Sequence, residues 1–444
     1  MFLTIAFRNL VQARRRTGIL ALALALVTML LVLLLALSSG ITDTMIRSAT
    51  ILSTGHVNLG GFFKAKPSAV APAVKDASQL RALIEDTLPQ ARVVSRMRGF
   101  GRIISPTTSI QVGMTGIDVS EEQPFVEAIR LAPRSNYVEG AAEEIEGRLE
   151  DLAKPNTAML FAAQAKRLGV QVGDSLTAIA ETLQGRRNST EIEVVAIAHD
   201  IGFLSNFSIF VHEDVVRELY HLGEDVTGVV QIYLDDYERS PQVMAVLRER
   251  LVEAGHDVME HEAAPFFTKF GPLQGSGWTG QKLDLTTWRD EVLILTWVLT
   301  AVDTVSFALV SILLVLIGIG VMNSMGISVR ERTAEIGTLR AIGMGRWSVM
   351  AMFMLEALLL GLLATGVGAA AGGLVALGLD IWAPTIPSEA VQAILMSESL
   401  HMVVRPLQLG LAVATFSGLA VSAAFFPALR AARLQPVTAI HHVG

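Results

Sequence analysis

Cysteine is absent from all 444 residues, so no disulfide and no thiolate metal site can form. Charge is also scarce. Asp, Glu, Lys and Arg make up 17% of the chain against 51% hydrophobic residues, and the mean hydropathy is +0.49. That balance excludes an ordinary soluble globule of this length. The net charge of −7 argues against nucleic acid as a partner. The sequence holds no Gly-x-x-x-x-Gly-Lys-Ser/Thr phosphate loop, which excludes ATP binding by that route. It holds no Gly-x-Ser-x-Gly elbow and no His-Glu-x-x-His pair. The histidines are scattered, and acid pairs such as Glu143-Glu144 and Asp235-Asp236 lack the spacing of an acid/base pair. The expectation is a chain with no catalysis, metal or cofactor of its own.

What is present is concentrated at the two ends. Charge-free or nearly charge-free runs cover Gly18 to Ser39, Thr304 to Val329, Trp347 to Leu379 (broken only by Glu356) and Leu407 to Leu429. Each is long enough to cross a hydrocarbon core, which takes about 20 residues. Ala36-Leu37-Ser38 resembles a signal-peptidase site, but the apolar run exceeds the about 7–15 residues usual for such peptides. Basic residues set the orientation. Arg8 and Arg14 to Arg16 precede the first span, Arg330, Arg332, Arg340 and Arg346 separate the second and third, and Arg430 and Arg433 follow the fourth. The 380–406 loop has Arg405 alone against Asp380, Glu389 and Glu398. Both termini and the 330–346 loop are therefore expected in the cytoplasm.

The expected layout is a basic segment 1–17, a first span 18–40 and an outer domain 41–294. A second span with stalk (295–329), a cytoplasmic helix (330–346), a third span (347–379), an outer loop (380–406), a fourth span (407–429) and a tail (430–444) follow. The outer domain reads as mixed α/β. β-Branched segments at 56–59, 92–104, 108–117, 175–180, 191–198, 208–211 and 229–234 predict strands. Three- and four-residue apolar spacing predicts helices over 78–88, 158–168 and 241–254. Strand and helix alternate at both ends and strand dominates the centre. That pattern predicts two lobes, one built from both ends and one inserted between them. Residues 255–285 read as the least regular part, with Phe266, Phe267 and Phe270 and Trp278 in a Gly-rich stretch. Those rings either contact an amphiphile or headgroups, or pack on their own lobe.

Several membrane-segment residues carry weight. Glu356 in an apolar run costs several kcal/mol unless paired or hydrated, so it either faces the bundle interior or snorkels toward the cytoplasmic surface, with a loop arginine as partner or a proton-relay role as the alternative. Gly368-Ala369-Ala370-Ala371-Gly372 has the small-xxx-small spacing that lets helices approach closely. The segment Arg330-Glu331-Arg332-Thr333-Ala334-Glu335-Ile336-Gly337-Thr338-Leu339-Arg340 reads as a short amphipathic helix. Glu331 and Glu335 share one face, while Ile336, Leu339 and Ile342 mark an apolar ridge suited to a partner's groove; the alternative is a membrane-surface helix, which the acids oppose on anionic lipid. A charged helix fixed to the end of a membrane helix is a lever.

Together these motifs resemble the FtsX-like permease family of ABC transporters, which includes MacB-type and LolC/LolE-type proteins. The likeness rests on Ala6-Phe7-Arg8-Asn9-Leu10 with Arg14 to Arg16, and on the one-plus-three span layout. It rests also on Asn323-Ser324-Met325 running into Glu331 to Gly337, and on Pro427-Ala428-Leu429-Arg430-Ala431-Ala432-Arg433-Leu434-Gln435-Pro436. The resemblance implies a dimeric permease, paired with a second copy or a paralogue, in a bacterial inner membrane with its large domain in the periplasm. A separate cytoplasmic ATPase subunit would bind the ATP. Arg330, Glu331, Arg332, Glu335, Ile336, Gly337, Leu339 and Arg340 would form the ATPase-coupling helix. Ser53-Thr54-Gly55-His56-Val57 looks more like the LolC/LolE branch, which implies release of lipoprotein cargo from the membrane. A MacB-like efflux permease with a periplasmic adaptor, or a signalling device acting on a cell-wall hydrolase, is the alternative.

Overall fold

The computed structural model describes residues 14–66, 69–182, 186–274, 276–395, 397 and 399–434. The opening motif at 6–10 and the closing motif from Gln435 onward lie outside the described residues. The chain divides into two compact units: Met1–Asp43 with Val298–Ile386 and Ser399–Gly444, and Thr44–Trp297 with Pro387–Glu398.

The first unit is helical. Four helices are long and apolar enough to cross a membrane: Arg14–Leu52, Leu293–Glu331, Arg346–Trp382 and Pro406–Arg433. The ends Thr44–Leu52 and Leu293–Trp297 belong to the second unit. The first helix runs well past the apolar stretch expected over 18–40 and stays helical to Leu52. Leu24, Leu31, Val32, Val321, Leu360, Ala412, Phe416 and Ala420 form a shared core. Glycines bring backbones together there. A Cβ added at Gly368 would lie 2.3 Å from the Ala25 carbonyl oxygen, and one at Gly361 would lie 3.2 Å from Ser417 Cα. Thr365 and Ser417 hydroxyls meet at 3.2 Å within this apolar packing. At one rim Arg405 pairs with Asp43 at 2.9 Å, and Gln408 donates to Ser39 at 3.0 Å. Asp380 there accepts the Met402 amide at 3.1 Å and lies 3.2 Å from His401 Nδ1, clipping the preceding loop to the end of the third helix.

The second unit is mixed α/β with two separate cores. Its strands are β1 (Val57–Lys66), β2 (Ala69–Ala71), β3 (Val74–Lys75), β4 (Arg92–Ile104), β5 (Ser109–Ile117) and β6 (Thr157–Phe161). They continue as β7 (Ser175–Glu181), β8 (Arg187–Ala198), β9 (Ser208–His212), β10 (Val226–Thr227), β11 (Val229–Tyr233) and β12 (Gly280–Thr287). In the first lobe β12, β1, β11 and the start of β4 lie side by side, all antiparallel. Helices Ala77–Thr87 and Ser240–Glu253 supply Leu80, Ile84, Leu247 and Leu251 to its core. In the second lobe the pairings run β4-β5-β9-β6-β8-β7 and return to β4, a closed circuit around Ile103, Met114, Leu160, Ala178, Ile197 and Val211. Closure removes exposed strand edges. The first lobe is thus built from both ends of the segment and the second from its middle.

Two expectations are corrected. Residues 158–168 are not one helix. Thr157–Phe161 is β6, buried on both faces, and the helix begins only at Ala162. A strand buried on both faces shows no alternation, and its apolar run imitates a helix. The stretch 255–285 is also more regular than expected, because β12 pairs with β1 from Gly280 to Thr287. The aromatic loop packs on its own lobe. Phe266 stacks on Phe62 at 4.4 Å, and Lys269 Nζ meets both oxygens of buried Asp284 at 2.9 Å. Burial pushes the Asp284 carboxyl up against the pull of Lys269. Phe267 alone among these phenylalanines stands exposed.

Candidate functional site: the loop between the second and third long helices

The second long helix stops at Glu331 because Arg332 leaves helical geometry. A short helix, Thr333–Ala341, follows at once. Thr333 Oγ1 donates to the Arg330 carbonyl at 2.9 Å and to Val329 at 3.1 Å, satisfying acceptors at the end of the long helix. Gly343 then takes φ +103, a left-handed turn that a side chain would resist, and the third helix starts at Arg346.

Three contacts hold the short helix. Arg332 Nη1 lies 3.3 Å from Glu356 Oε2, and Arg332 Nε lies 3.5 Å from Glu335. Glu356, 5% exposed within the third helix, thus has the arginine partner that the cost of burial demands. Arg340 Nη1 donates to the Ala432 carbonyl at 2.7 Å and to Leu434 at 3.0 Å, capping the end of the fourth helix. Cations at a helix C-terminus also meet the negative end of its dipole. Between these two arginines Ile336 enters a core of Val329, Val349, Met352, Phe353, Ala428 and Ala431.

The expected apolar ridge is therefore divided. Ile336 and Gly337 are buried, Leu339 is half-buried, and Ile342 is 80% exposed, beyond the end of the short helix. Ile336 fastens the helix to its own bundle and is not presented to a groove. Arg330, Glu331 and Glu335 lie on the exposed side, and Arg332 and Arg340 point inward to their partners. The surface left for a partner is acidic at Glu331 and Glu335, with Ile342 and Trp347 as exposed apolar points. The arrangement can transmit force. It brings no nucleophile, base or metal-ligand set together, and among the described residues no cluster of three or more His, Asp or Glu could hold a metal.

Sequence reasoning missed the anchors Ala432 and Leu434, because backbone carbonyls leave no signature. It also missed a buried Arg96–Glu122 pair in the α/β unit, two residues 26 apart that no local pattern joins.

The described residues thus combine four helices long and apolar enough to cross a membrane, a short charged helix between two of them, and a large α/β unit. Residues 307–436, which include the loop and its anchors up to Leu434, match the FtsX-like permease C-terminal family. The macrolide export ATP-binding/permease protein MacB of Neisseria gonorrhoeae is 38% identical over 135 residues, 30% of this chain and 18% of that relative. MacB of Marinobacter nauticus is 35% identical over 146 residues, 33% of this chain and 19% of the relative. The chain thus spans under a fifth of the length of these curated relatives. Among solved structures, the periplasmic region of MacB from Actinobacillus actinomycetemcomitans aligns with 54% of this chain and 94% of its own at TM-score 0.28 and 14% identity. The extracellular domain of the transporter YknZ from Gram-positive bacteria aligns with 45% and 95% at TM-score 0.28 and 10% identity.

Proposed function

We propose that this chain is the permease subunit of an ABC transporter, moved by a separate ATPase subunit that grips the short helix Thr333–Ala341 from the cytoplasm. The observation that carries the reading is the clamping of that helix: Arg332 to Glu356, Arg340 to Ala432 and Leu434, and Ile336 in the core between them. A push on the exposed side reaches the second, third and fourth long helices together. The excess of arginines at this end supports a cytoplasmic location. In this reading the partner binds the ATP, and these 444 residues contain no phosphate loop.

The work done outside is release or extraction of an amphiphile, a lipoprotein or similar molecule, by a dimer of two such permeases. The likeness around Ser53 to Val57 favours this branch. A second reading is efflux with a periplasmic adaptor, and the similarity to macrolide export proteins favours it. The test is reconstitution with the ATPase subunit in liposomes carrying a lipidated reporter protein. ATP should drive its release, and Glu335→Lys should abolish release by reversing charge on the gripped face. Normal release by Glu335→Lys would refute the coupling assignment. Co-purification of an adaptor with no reporter release would favour efflux.

A further inference from the structure

Among the described residues Arg96 is the largest of the fully buried side chains, with 1% exposure. It sits where β4 passes from one lobe to the other: Arg96 pairs with Val229 of β11, and Met97 pairs with Gly116 of β5. Burying a guanidinium costs several kcal/mol unless its donors are met. Here Nε donates to Glu122 Oε1 at 2.7 Å, and Nη2 bonds Glu122 Oε2. Glu122, itself 2% exposed, directly precedes the short helix Gln123–Ala128. The remaining donors reach a different element. Nη2 donates to the Ile51 carbonyl at 2.8 Å and Nη1 to the Leu52 carbonyl at 3.3 Å. Those are the last two residues of the first long helix, whose final carbonyls have no partner within the helix.

The first lobe adds two bonds to the same helix end. The Tyr233 hydroxyl donates to the Thr50 carbonyl at 3.1 Å, and Gln231 Nε2 donates to Ser53 at 3.3 Å. Burial holds the Tyr233 phenol above its usual pKa, so it remains a donor. For Arg96, burial disfavours the charge, but the paired Glu122 carboxylate favours it and the guanidinium stays cationic. Apolar residues of the same volume would hold two lobes together as well or better. They could not cap a helix while also gripping an acid in the second lobe.

We infer that Arg96 is a positioning residue that fixes the last turn of the first long helix to both lobes, so that displacement of the helix moves the α/β domain as a rigid body. The inference deepens the permease reading and rests on it, yet the joint can be tested apart from it. Removing Arg96 alone strands a buried Glu122 and threatens the fold, so Arg96→Met is combined with Glu122→Leu. The natural absence of cysteine allows clean spin labelling at Arg47→Cys, exposed near the helix end, and Lys166→Cys, exposed in the second lobe. In the full chain the label distance should be narrowly distributed with Arg96 and Glu122 present. It should broaden in the double variant while the thermal transition of the domain is kept. Equal widths would overturn the joint. In the reconstituted complex, the double variant should keep its ATPase rate but release several-fold less lipidated reporter per ATP. A wild-type ratio would overturn the inference. Failure of the parent protein to release any reporter would instead count against the permease reading, while the label widths still decide the joint.

Discussion

The second and third long helices are near-equal in length, 39 and 37 residues, and both are strongly apolar, yet they behave oppositely. The second exposes Val305, Phe307, Ile312, Val315, Leu316 and Ile319. The third buries Phe353, Glu356, Gly361, Ala364, Gly368 and Gly372 against its neighbours. Apolarity is the same in both, so the hydrophobic effect does not choose between them. Side-chain size does. In a lipid setting helices associate through close packing and polar contacts, and small residues permit both. The third helix is a packed strut, and the second presents a broad apolar surface and bends into the short helix at Arg332.

That contrast can be broken, and the largest effect belongs to the strut. Gly368→Leu would force a side chain into the Ala25 backbone, where even a Cβ would lie 2.3 Å from its carbonyl oxygen. We expect loss of a stable bundle, by more than the about 1–3 kcal/mol of ordinary overpacking, read as collapse of the thermal transition in detergent. Next is Glu356→Ala, which removes the buried one of the two acids paired with Arg332. A loss of about 3 kcal/mol is expected, at the low end for a broken buried pair because Arg332 keeps Glu335. Arg332→Met with Glu356→Met should restore most of that stability without restoring coupled transport. Full transport by that pair would show that the clamp is dispensable.

A smaller effect separates the α/β unit from either helix. Burial first, and the charge of Arg92 second, lower the His56 pKa from 6.5, and the Leu234 amide donates to its Nδ1 at 2.8 Å. The native state therefore favours neutral His56, while the unfolded chain takes up a proton below pH 6.5. Stability from this group is present above that pH and falls as pH drops through the lowered native value. The domain's thermal transition should fall on acidification, and less so in His56→Gln, with the bundle unaffected. The smallest effect should come from Ile319→Ala on the second helix, within about 0.5 kcal/mol for an unpacked surface position. A loss of about 2 kcal/mol in the intact complex would mean that a partner helix covers this face.

Much of this was legible in the sequence, for identifiable reasons. The apolar runs, the lone Glu356 and the Gly368-to-Gly372 spacing each report a constraint that the bilayer imposes locally. β4, β5 and β11 were legible through their β-branched residues. β6 was not, because Thr157 to Phe161 are all buried and carry no alternation. β12 hid behind Asp284, a charge that reads as loop until Lys269 is found against it. The ridge of Ile336, Leu339 and Ile342 assumed one continuous helix, and the helix ends at Ala341. Arg96 could not be found at all. Its partners are an acid 26 residues away and two carbonyls, and only the folded chain brings them together.

The claim on which the account turns is that a cytoplasmic ATPase grips the segment around Thr333–Ala341. Single cysteines at Glu335 and Ile342, in a chain that has none, can be probed with a membrane-impermeant maleimide. In intact cells both should be unreactive while Val246→Cys in the α/β domain is labelled. In purified permease both should react, and adding the ATPase subunit should protect them. Labelling of Glu335→Cys from outside the cell, or no protection by any ATPase subunit, would contradict the account.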